Sequence, residues 1–286
     1  MSFKAAAIQM RSGVDPARNA ADMERLVRAA AAAGAVYVQT PEMTGAIQKD
    51  RQALRAQLRD DDGDIIVATA ARLARELGIH VHVGSTAIAR PDGKIANRGF
   101  LFAPDGSRIC SYDKIHMFDV DLDNGESWRE SAAYQPGEVA RIAELPLGKF
   151  GFAICYDVRF PQLFRAEALA GAEVLTVPAA FTRQTGEAHW EVLLRARAIE
   201  NGAFVIAAAQ AGVHEDGRET FGHSIIIDPW GKVLAIAGGT GEEIIFAEID
   251  TSLVAAARGK IPNLRNAREF GLDTVIPLKP AGGEAA

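Results

Sequence analysis

The feature that most constrains the fold of this chain is a succession of short apolar runs, each closed by a turn or by an amphipathic helix. Runs such as "FKAAAIQM" and "HVHVGSTAIA" have the length of strands and contain the residues that strands favour. Helical segments follow Asp15 and Asp64, which are N-cap residues, and a glycine ends each segment. Strands joined in part by helices and in part by hairpins predict mixed α/β sheets covered by helices.

Composition narrows the class of protein. The chain of 286 residues has a formal net charge of -6, which argues against a nucleic-acid-binding surface. Its longest apolar stretches are too short to span a bilayer, and its first residues lack the apolar core of a signal peptide. Its two cysteines, Cys110 and Cys155, do not make a disulfide framework. We therefore expect a cytoplasmic protein with one domain over residues 1–286 and no nucleic-acid or membrane partner.

Two segments depart from the pattern of strands and helices. Residues 117–137 are polar, acidic and irregular, and a loop of that length inside a domain is usually functional. Residues 259–286 carry few apolar side chains. We expect this C-terminal tail to pack on the domain or on a partner subunit.

Three chemically reactive side chains follow predicted strands. Glu42 comes after "VYVQTP", Lys114 ends "RICSYDK" and Cys155 ends "KFGFAIC". Because groups at the carboxyl ends of strands converge on one crevice in α/β sheets, we expect the three to meet. Taken singly, a cysteine at a strand end is more often a small core residue, and Glu and Lys are usually solvated. The pattern alone leaves both interpretations open.

Brought together, these groups would form a nucleophilic site. A free thiol has a pKa of about 8.5 and needs a base or a nearby cation to react at neutral pH. Glu42 would take the proton from Cys155, and Lys114 would favour the thiolate and stabilise an oxyanion. The backbone N–H of Tyr156 is a second oxyanion donor. Cys110 lies mid-strand without charged neighbours on its run, and we interpret it as structural.

Longer motifs around these residues resemble the signatures of the nitrilase (carbon–nitrogen hydrolase) superfamily. They are "TPEMTG" around Glu42, "YDKIHMFDVD" around Lys114 and "GFAICYDVRFPQL" around Cys155. The resemblance implies a four-layer α-β-β-α sandwich that pairs into homodimers or larger homo-oligomers. It also implies that Glu42 is the general base, Lys114 the electrostatic stabiliser and Cys155 the nucleophile. Glu130 matches a second glutamate of the family, which orients the lysine or the substrate and assists water.

The resemblance is strongest to the Nit amidases of this superfamily. It implies a cysteine amidase that hydrolyses the carboxamide of a small acidic amide, with deaminated glutathione favoured, to a carboxylate and ammonia through a thioester. No metal or cofactor is needed, and the histidines show no ligand spacing. Two arginines are candidates for binding substrate carboxylates, because arginine binds them bidentately, and four further residues border the expected pocket. These six candidates are Arg159, Arg183, Phe181, Thr182, Thr185 and His189.

Other functions remain open on the sequence. An ω-amidase acting on 2-oxoglutaramate, an N-carbamoyl amino acid amidohydrolase or an aliphatic amidase would use the same reactive residues with a different pocket. Gln162 and Thr40 depart from the pattern of the Nit amidases, which leaves the substrate open but not the reaction type. A non-catalytic binding protein on the same fold is the alternative from another class.

Overall fold

The computed structural model describes residues 2–121, 125 and 127–274. The strands among these residues are β1 Ser2–Gln9, β2 Tyr37–Gln39, β3 His80–Ala89, β4 Ile95–Phe102, β5 Arg108–Asp113, β6 Asp119–Asp121, β7 Ser127–Arg129, β8 Ile142–Leu145, β9 Gly148–Phe152, β10 Val174–Thr176, β11 Phe204–Ala207, β12 Ala211–Val213, β13 Glu219–Phe221, β14 Ile225–Ile227, β15 Val233–Ile236 and β16 Glu243–Asp250. The helices are α1 Pro16–Ala32, α2 Arg51–Gln57, α3 Ile65–Leu77, α4 Pro161–Leu169, α5 Arg183–Asn201 and α6 Ser252–Lys260.

Two six-stranded sheets form the centre of the molecule. The first has the strand order β16-β1-β2-β3-β4-β5, and the second has the order β15-β14-β11-β10-β9-β8. Each sheet has a parallel centre, β1-β2-β3 in the first and β9-β10-β11 in the second, flanked by antiparallel strands. Parallel neighbours bring their carboxyl ends to the same edge, so each sheet presents one edge suited to a site.

The alternation of side chains along β1 explains the layers. Ala6 and Ile8 belong to a core with the buried residues of α1 and α3, whereas Ala5 and Ala7 belong to a core with the second sheet. Helices α4 and α5 contact the outer face of that second sheet. The order of layers is therefore helices, sheet, sheet, helices, and the predicted four-layer sandwich is confirmed.

Local signals set the ends of the helices on the first sheet. Asp15 accepts from Ala17 N–H at the start of α1, and Asp64 caps α3 by accepting from two N–H groups. Gly78 ends α3 in the left-handed conformation, with φ of 66°. The interpretation of the sequence at these two helices is confirmed.

Several elements differ from the sequence prediction. Residues 117–137 were expected to be an irregular loop, but β6 and β7 form an antiparallel pair there. Residues 122–124 and 126 of this segment lie outside the described residues. Helices α2 and α6 were not predicted, and α5 begins at Arg183, four residues before the predicted start. The strand before Cys155 ends at Phe152, so the thiol lies on a turn rather than on the strand.

The C-terminal segment after α6 is half-buried at residues 262–264 and exposed over residues 265–274. Asn263 donates to the carbonyl of Glu200, whereas Phe270 and Leu272 are almost fully exposed. Residues 275–286 of the predicted tail lie outside the described residues. Along the described chain, no helix is long and apolar enough to cross a membrane.

Candidate active site

The three predicted reactive residues come together where the edges of the two sheets meet. Glu42 follows β2 and Lys114 follows β5 on the first sheet, whereas Cys155 follows β9 on the second. Cys155 has a φ of 50°, and Met43, directly after Glu42, has a φ of 54°. The left-handed region costs a residue with a side chain roughly 1–2 kcal/mol. Both strands therefore end in sharp, strained turns beside the reactive groups.

Lys114 is buried between two carboxylates. Its Nζ lies 3.0 Å from Oε1 of Glu42 and 2.9 Å from Oε2 of Glu130. Glu130 also accepts from the N–H of Phe118 at 2.7 Å, which fixes the predicted loop against the lysine. The structure thus places Glu130, with Glu42 and Lys114, in one hydrogen-bonded group.

Asn97 on β4 belongs to the same group and was not predicted. Its Nδ2 donates to Oε1 of Glu42 at 2.8 Å and to Oε1 of Glu130 at 3.2 Å, so it bridges the same two carboxylates as Lys114. Its Oδ1 is buried and has no hydrogen-bond partner among the described residues. The sequence signal was an asparagine inside a strand, where asparagine is disfavoured.

Glu42 also ties the first sheet to the second. Its Oε2 accepts from the N–H of Ala180 at 2.8 Å, and its backbone carbonyl accepts from Nε2 of Gln210 at 3.1 Å. At the same junction, a Cβ on Gly84 would lie 2.2 Å from the carbonyl oxygen of Thr40 and 2.4 Å from Cβ of Pro178. The absence of a side chain at Gly84 therefore allows the close approach of the two sheets that holds Glu42 near Cys155.

The electrostatics of this group are set by burial and by its own charges. Burial would raise the pKa of Glu42, but Lys114 and hydrogen bonds, including one with Cys155, lower it below its usual value. Burial would lower the pKa of Lys114, but Glu130 and Glu42 raise it well above its usual value. Burial and the charge of Glu42 raise the pKa of the Cys155 thiol well above its usual value, although Lys114 acts in the opposite direction. At neutral pH the group therefore holds a carboxylate, an ammonium and a protonated thiol.

The turn after Cys155 leaves one backbone donor available. Cys155 N–H donates to the carbonyl of Pro178 at 2.9 Å, and Asp157 N–H donates to the carbonyl of Ile154 at 3.1 Å. Tyr156 N–H, between them, has no acceptor within the described residues. Tyr156 also lines the cavity that Cys155 faces. This geometry suits a second donor to an oxyanion.

The fully buried carboxylate of Asp157 joins this turn to residues on both sides of Lys114. It accepts from the N–H of Ile154 at 2.9 Å, from the hydroxyl of Tyr112 at 2.7 Å and from the N–H of His116 at 2.9 Å. The His116 ring lies 2.6 Å from the same carboxylate through Nδ1. Asp157 therefore fixes the cysteine turn of one sheet against the lysine segment of the other.

A cavity of about 310 Å³ opens above these groups. Its wall contains Glu42, Lys114, Glu130 and Cys155. Of the six predicted substrate-binding residues, the structure brings three to this wall, namely Phe181, Thr182 and Thr185.

The other three predicted residues lie outside the cavity lining. Nη2 of Arg159 lies 3.3 Å from Nδ1 of His189, and the guanidinium of Arg159 lies over the ring of Phe181. Arg183 is exposed and forms ion pairs with Glu187 and Glu219.

Cations that the sequence analysis did not select line the cavity instead. Arg218 stands on the turn between β12 and β13, and Lys49 and Arg51 lie at the start of α2. The signal that could have found Arg218 is its place in a polar hairpin, "HEDGRET", between buried segments. Within the described ranges, no cluster of three or more His, Cys, Asp or Glu residues is arranged to hold a metal ion.

Comparison with known proteins gives consistent results. The family described as "Carbon-nitrogen hydrolase" matches residues 4–259. A deaminated glutathione amidase of Yersinia enterocolitica is 38% identical over 269 residues, covering 92% of this chain and 92% of that protein. A deaminated glutathione amidase of Homo sapiens is 38% identical over 268 residues, covering 92% of this chain and 81% of that protein.

Solved structures with the same architecture are also similar in sequence. The C. elegans NitFhit protein superimposes with a TM-score of 0.84 at 33% identity, over 93% of this chain and 65% of that one. Saccharomyces cerevisiae Nit3, described as a member of branch 10 of the nitrilase superfamily, superimposes with a TM-score of 0.82 at 30% identity. That match covers 91% of this chain and 94% of Nit3.

Proposed function

This chain belongs to the carbon–nitrogen hydrolase family and is an amidase, and we propose that Cys155 is the nucleophile with which it opens the carbon–nitrogen bond. Glu42 is the general base and acid, and Lys114 and the N–H of Tyr156 bind the oxyanion. Glu130 is the residue that orients Lys114. The observation that carries this assignment is the contact of one carboxylate, that of Glu42, with both the ammonium of Lys114 and the thiol of Cys155.

The first half of the reaction forms a thioester. Glu42 takes the proton of the Cys155 thiol while the sulfur attacks the amide carbon, and the carbonyl oxygen becomes an oxyanion beside Lys114. Glu42 then gives that proton to the amide nitrogen, the carbon–nitrogen bond breaks, and the amine leaves. Because Lys114 lies between two carboxylates, its ammonium stays charged throughout.

The second half returns the enzyme to its starting state. Glu42 takes a proton from a water molecule, and the hydroxide attacks the thioester carbon. The tetrahedral intermediate then releases the carboxylic acid, and the sulfur recovers a proton from Glu42. One water is consumed, and one acid and one amine are produced.

The lining of the cavity supports a substrate with carboxylate groups. Lys49, Arg51 and Arg218 face it, and the carboxylate of Glu219 on the same wall is paired with Arg183 at 2.7 Å. We place the substrate among the acidic amides, with deaminated glutathione first, as in the named relatives. Its amide nitrogen carries cysteinylglycine, so the amine released is that dipeptide. The ammonia expected from the sequence applies to primary amides such as 2-oxoglutaramate.

One experiment tests both the reaction and the substrate. Deaminated glutathione and 2-oxoglutaramate are supplied side by side, and 2-oxoglutarate and ammonia are measured with the Cys155→Ala variant as the blank. We expect 2-oxoglutarate from both substrates, faster from deaminated glutathione, and ammonia only from 2-oxoglutaramate. Equal turnover by the Cys155→Ala variant would show that Cys155 is not the nucleophile. If the native protein cleaves neither compound, the proposal that its substrate is an acidic amide is wrong.

We also propose that this single-domain protein acts as a homo-oligomer in the cytoplasm. Val192 and Ile199 lie on one exposed face of α5, and Trp230 and Phe270 are exposed as well, which supports a covered surface in an assembly. Both cysteines are free, in keeping with a reducing compartment. Light scattering of the purified protein tests the assembly, and a monomer at micromolar concentration would refute it.

A further inference from the structure

The charges inside the cavity are unevenly distributed between its two ends. At the reactive end, one ammonium, Lys114, lies between the carboxylates of Glu42 and Glu130. A carboxylate of the substrate would be repelled there, because two negative charges face one positive charge. An acidic substrate therefore needs a cationic partner on another part of the wall.

Arg218 can be this cationic partner, because its guanidinium is fixed in orientation and partly exposed. Its Nε donates to Oδ2 of Asp216 at 2.7 Å, and its backbone N–H donates to Oδ1 of the same residue at 3.0 Å. Its guanidinium carbon lies 5.6 Å from the ring centre of Trp128. Both Nη nitrogens have no acceptor within the described residues, and the side chain is 25% exposed. Arg218 thus keeps two parallel donors for a carboxylate while its orientation is fixed.

A second cation converges on the same part of the wall. Nζ of Lys49 lies 3.6 Å from the position that a Cβ on Gly217, the neighbour of Arg218, would occupy. Lys49 forms no ion pair with any described residue, and Glu219 on the same wall is already paired with Arg183. Lys49 and Arg218 line the same cavity, and an anion bound there would be attracted by both charges.

Arg218 is also within electrostatic reach of the reactive end. Tyr134 lines the same cavity, and burial and the charge of Glu130 raise its pKa, whereas the charge of Arg218 lowers it. Tyr134 therefore interacts electrostatically both with Arg218 and with Glu130 of the reactive group. Cys155 and Arg218 line the same cavity, so one bound substrate can contact both.

We propose that Arg218, with Lys49 beside it, binds the carboxylate on the acyl half of the amide substrate. This inference rests on the proposed function, because it concerns the substrate of that same site. Deaminated glutathione and 2-oxoglutaramate share the same acyl half, so the subsite serves both.

The test compares two amides that differ only in this carboxylate. Glutaramate carries it, and pentanamide has a methyl group in its place. In Arg218→Gln we expect KM for glutaramate and 2-oxoglutaramate to rise roughly ten- to a hundredfold, with kcat changed far less, because one charge-assisted pair is lost. Turnover of pentanamide is expected to stay within about twofold, since it has no group for this subsite.

Two further variants separate binding from folding. Arg218→Gln leaves the buried carboxylate of Asp216 without its partner, so Arg218→Lys, which keeps the charge, is measured beside it. Lys49→Gln removes a side chain that is exposed and unpaired among the described residues, and we expect a rise in KM of about three- to tenfold. Arg25→Gln, on the far surface of α1, is the matched control and should not change KM.

A second readout does not depend on turnover. Iodoacetamide alkylation of Cys155 is followed by mass spectrometry in the presence of glutarate or pentanoate, the acids from the two test amides. We expect glutarate to protect the native protein better than pentanoate, and Arg218→Gln to remove this difference.

Three results would overturn the proposal. The first is that glutarate protects Cys155 from alkylation equally well in the native protein and in Arg218→Gln. The second is that Arg218→Gln loses activity equally on glutaramate and on pentanamide. The third is that Arg218→Gln loses activity on deaminated glutathione alone. The last would assign the subsite to the leaving group. If the native protein is protected by glutarate but cleaves no acidic amide, the proposed function fails and the anion subsite stands.

Discussion

The two cysteines of this chain differ in their partners much more than in their burial. Burial raises the pKa of both thiols, that of Cys110 to about 11 and that of Cys155 well above its usual value. Cys110 lies within β5 opposite Leu101, and the charge that acts on it is that of Arg141. Cys155 lies on a strained turn in contact with Glu42. If Cys155 is the nucleophile that we propose, a raised pKa does not make a thiol inert when a base is fixed beside it.

The largest expected effect comes from removing each sulfur in turn. Cys155→Ala should lower kcat by on the order of 10⁴-fold or more, because no other group can form the thioester. Cys110→Ala should leave kcat within about twofold, since it lies outside the cavity lining. Steady-state kinetics on 2-oxoglutaramate measures kcat of both variants. Similar losses of kcat in the two variants would show that the two cysteines do not differ in function.

The two thiols should differ in how their alkylation rates depend on pH. Over three pH units, the ratio of the rate at Cys110 to the rate at Cys155 should rise by about a thousandfold. Cys110 reacts through its thiolate, whose fraction rises about tenfold per pH unit up to about 11. The lowered pKa of Glu42 and the raised pKa of Cys155 keep both protonation states constant from about pH 6 to pH 9, so the rate at Cys155 should be flat. Mass spectrometry of the two peptides gives both profiles. A tenfold rise per unit at Cys155 would mean that Glu42 does not remove its proton.

Removing the base should make Cys155 behave like Cys110. Glu42→Gln keeps the size of the side chain and one acceptor oxygen but cannot take a proton, and we expect kcat to fall on the order of 10³-fold. The alkylation rate of Cys155 in this variant should then rise with pH, as it does at Cys110. Circular dichroism is the control for folding, and a flat alkylation profile in a folded variant would place the base elsewhere.

A smaller effect is expected at Asn97, which has no counterpart near Cys110. Asn97→Ala removes the neutral donor that Glu42 and Glu130 share, so Lys114 is the one remaining side chain that bridges these two carboxylates among the described residues. We expect kcat to fall about ten- to a hundredfold with KM little changed, because the misplaced base matters in the transition state. A variant that changes only KM would make Asn97 a substrate contact instead.

Much of the fold could be predicted because its signals are local. Strand β3 has the predicted bounds, and the caps of α3 at Asp64 and Gly78 were read from the sequence. The first turn of α5 was missed because it contains Thr185 and Gly186, which are poor helix formers. A Cβ on Gly186 would lie 2.3 Å from the ring of Phe221, so packing against a distant hairpin fixes this turn.

The residues of the site also fall into two groups. Some can be predicted from local sequence, and the others depend on contacts with distant parts of the chain. Glu42, Lys114 and Cys155 could be selected because each follows a strand, and strand ends converge. Asn97 and Arg218 have weaker signals, because the role of Asn97 depends on which side chains lie opposite β4, and that of Arg218 depends on a hairpin whose position no local pattern gives. Arg183 was selected for its charge, but its neighbours Glu187 and Glu219 occupy its guanidinium.

The pairing of β1 with β16 has a consequence for biosynthesis. Ser2 lies opposite Asp250, so the N-terminal strand leaves the ribosome long before the strand that covers its edge. Until residues 243–250 emerge, a nascent or truncated chain presents the apolar strand β1 with an open row of backbone donors and acceptors, which favours aggregation. We therefore expect loss of β16 to reduce the yield of protein before it affects any catalytic step.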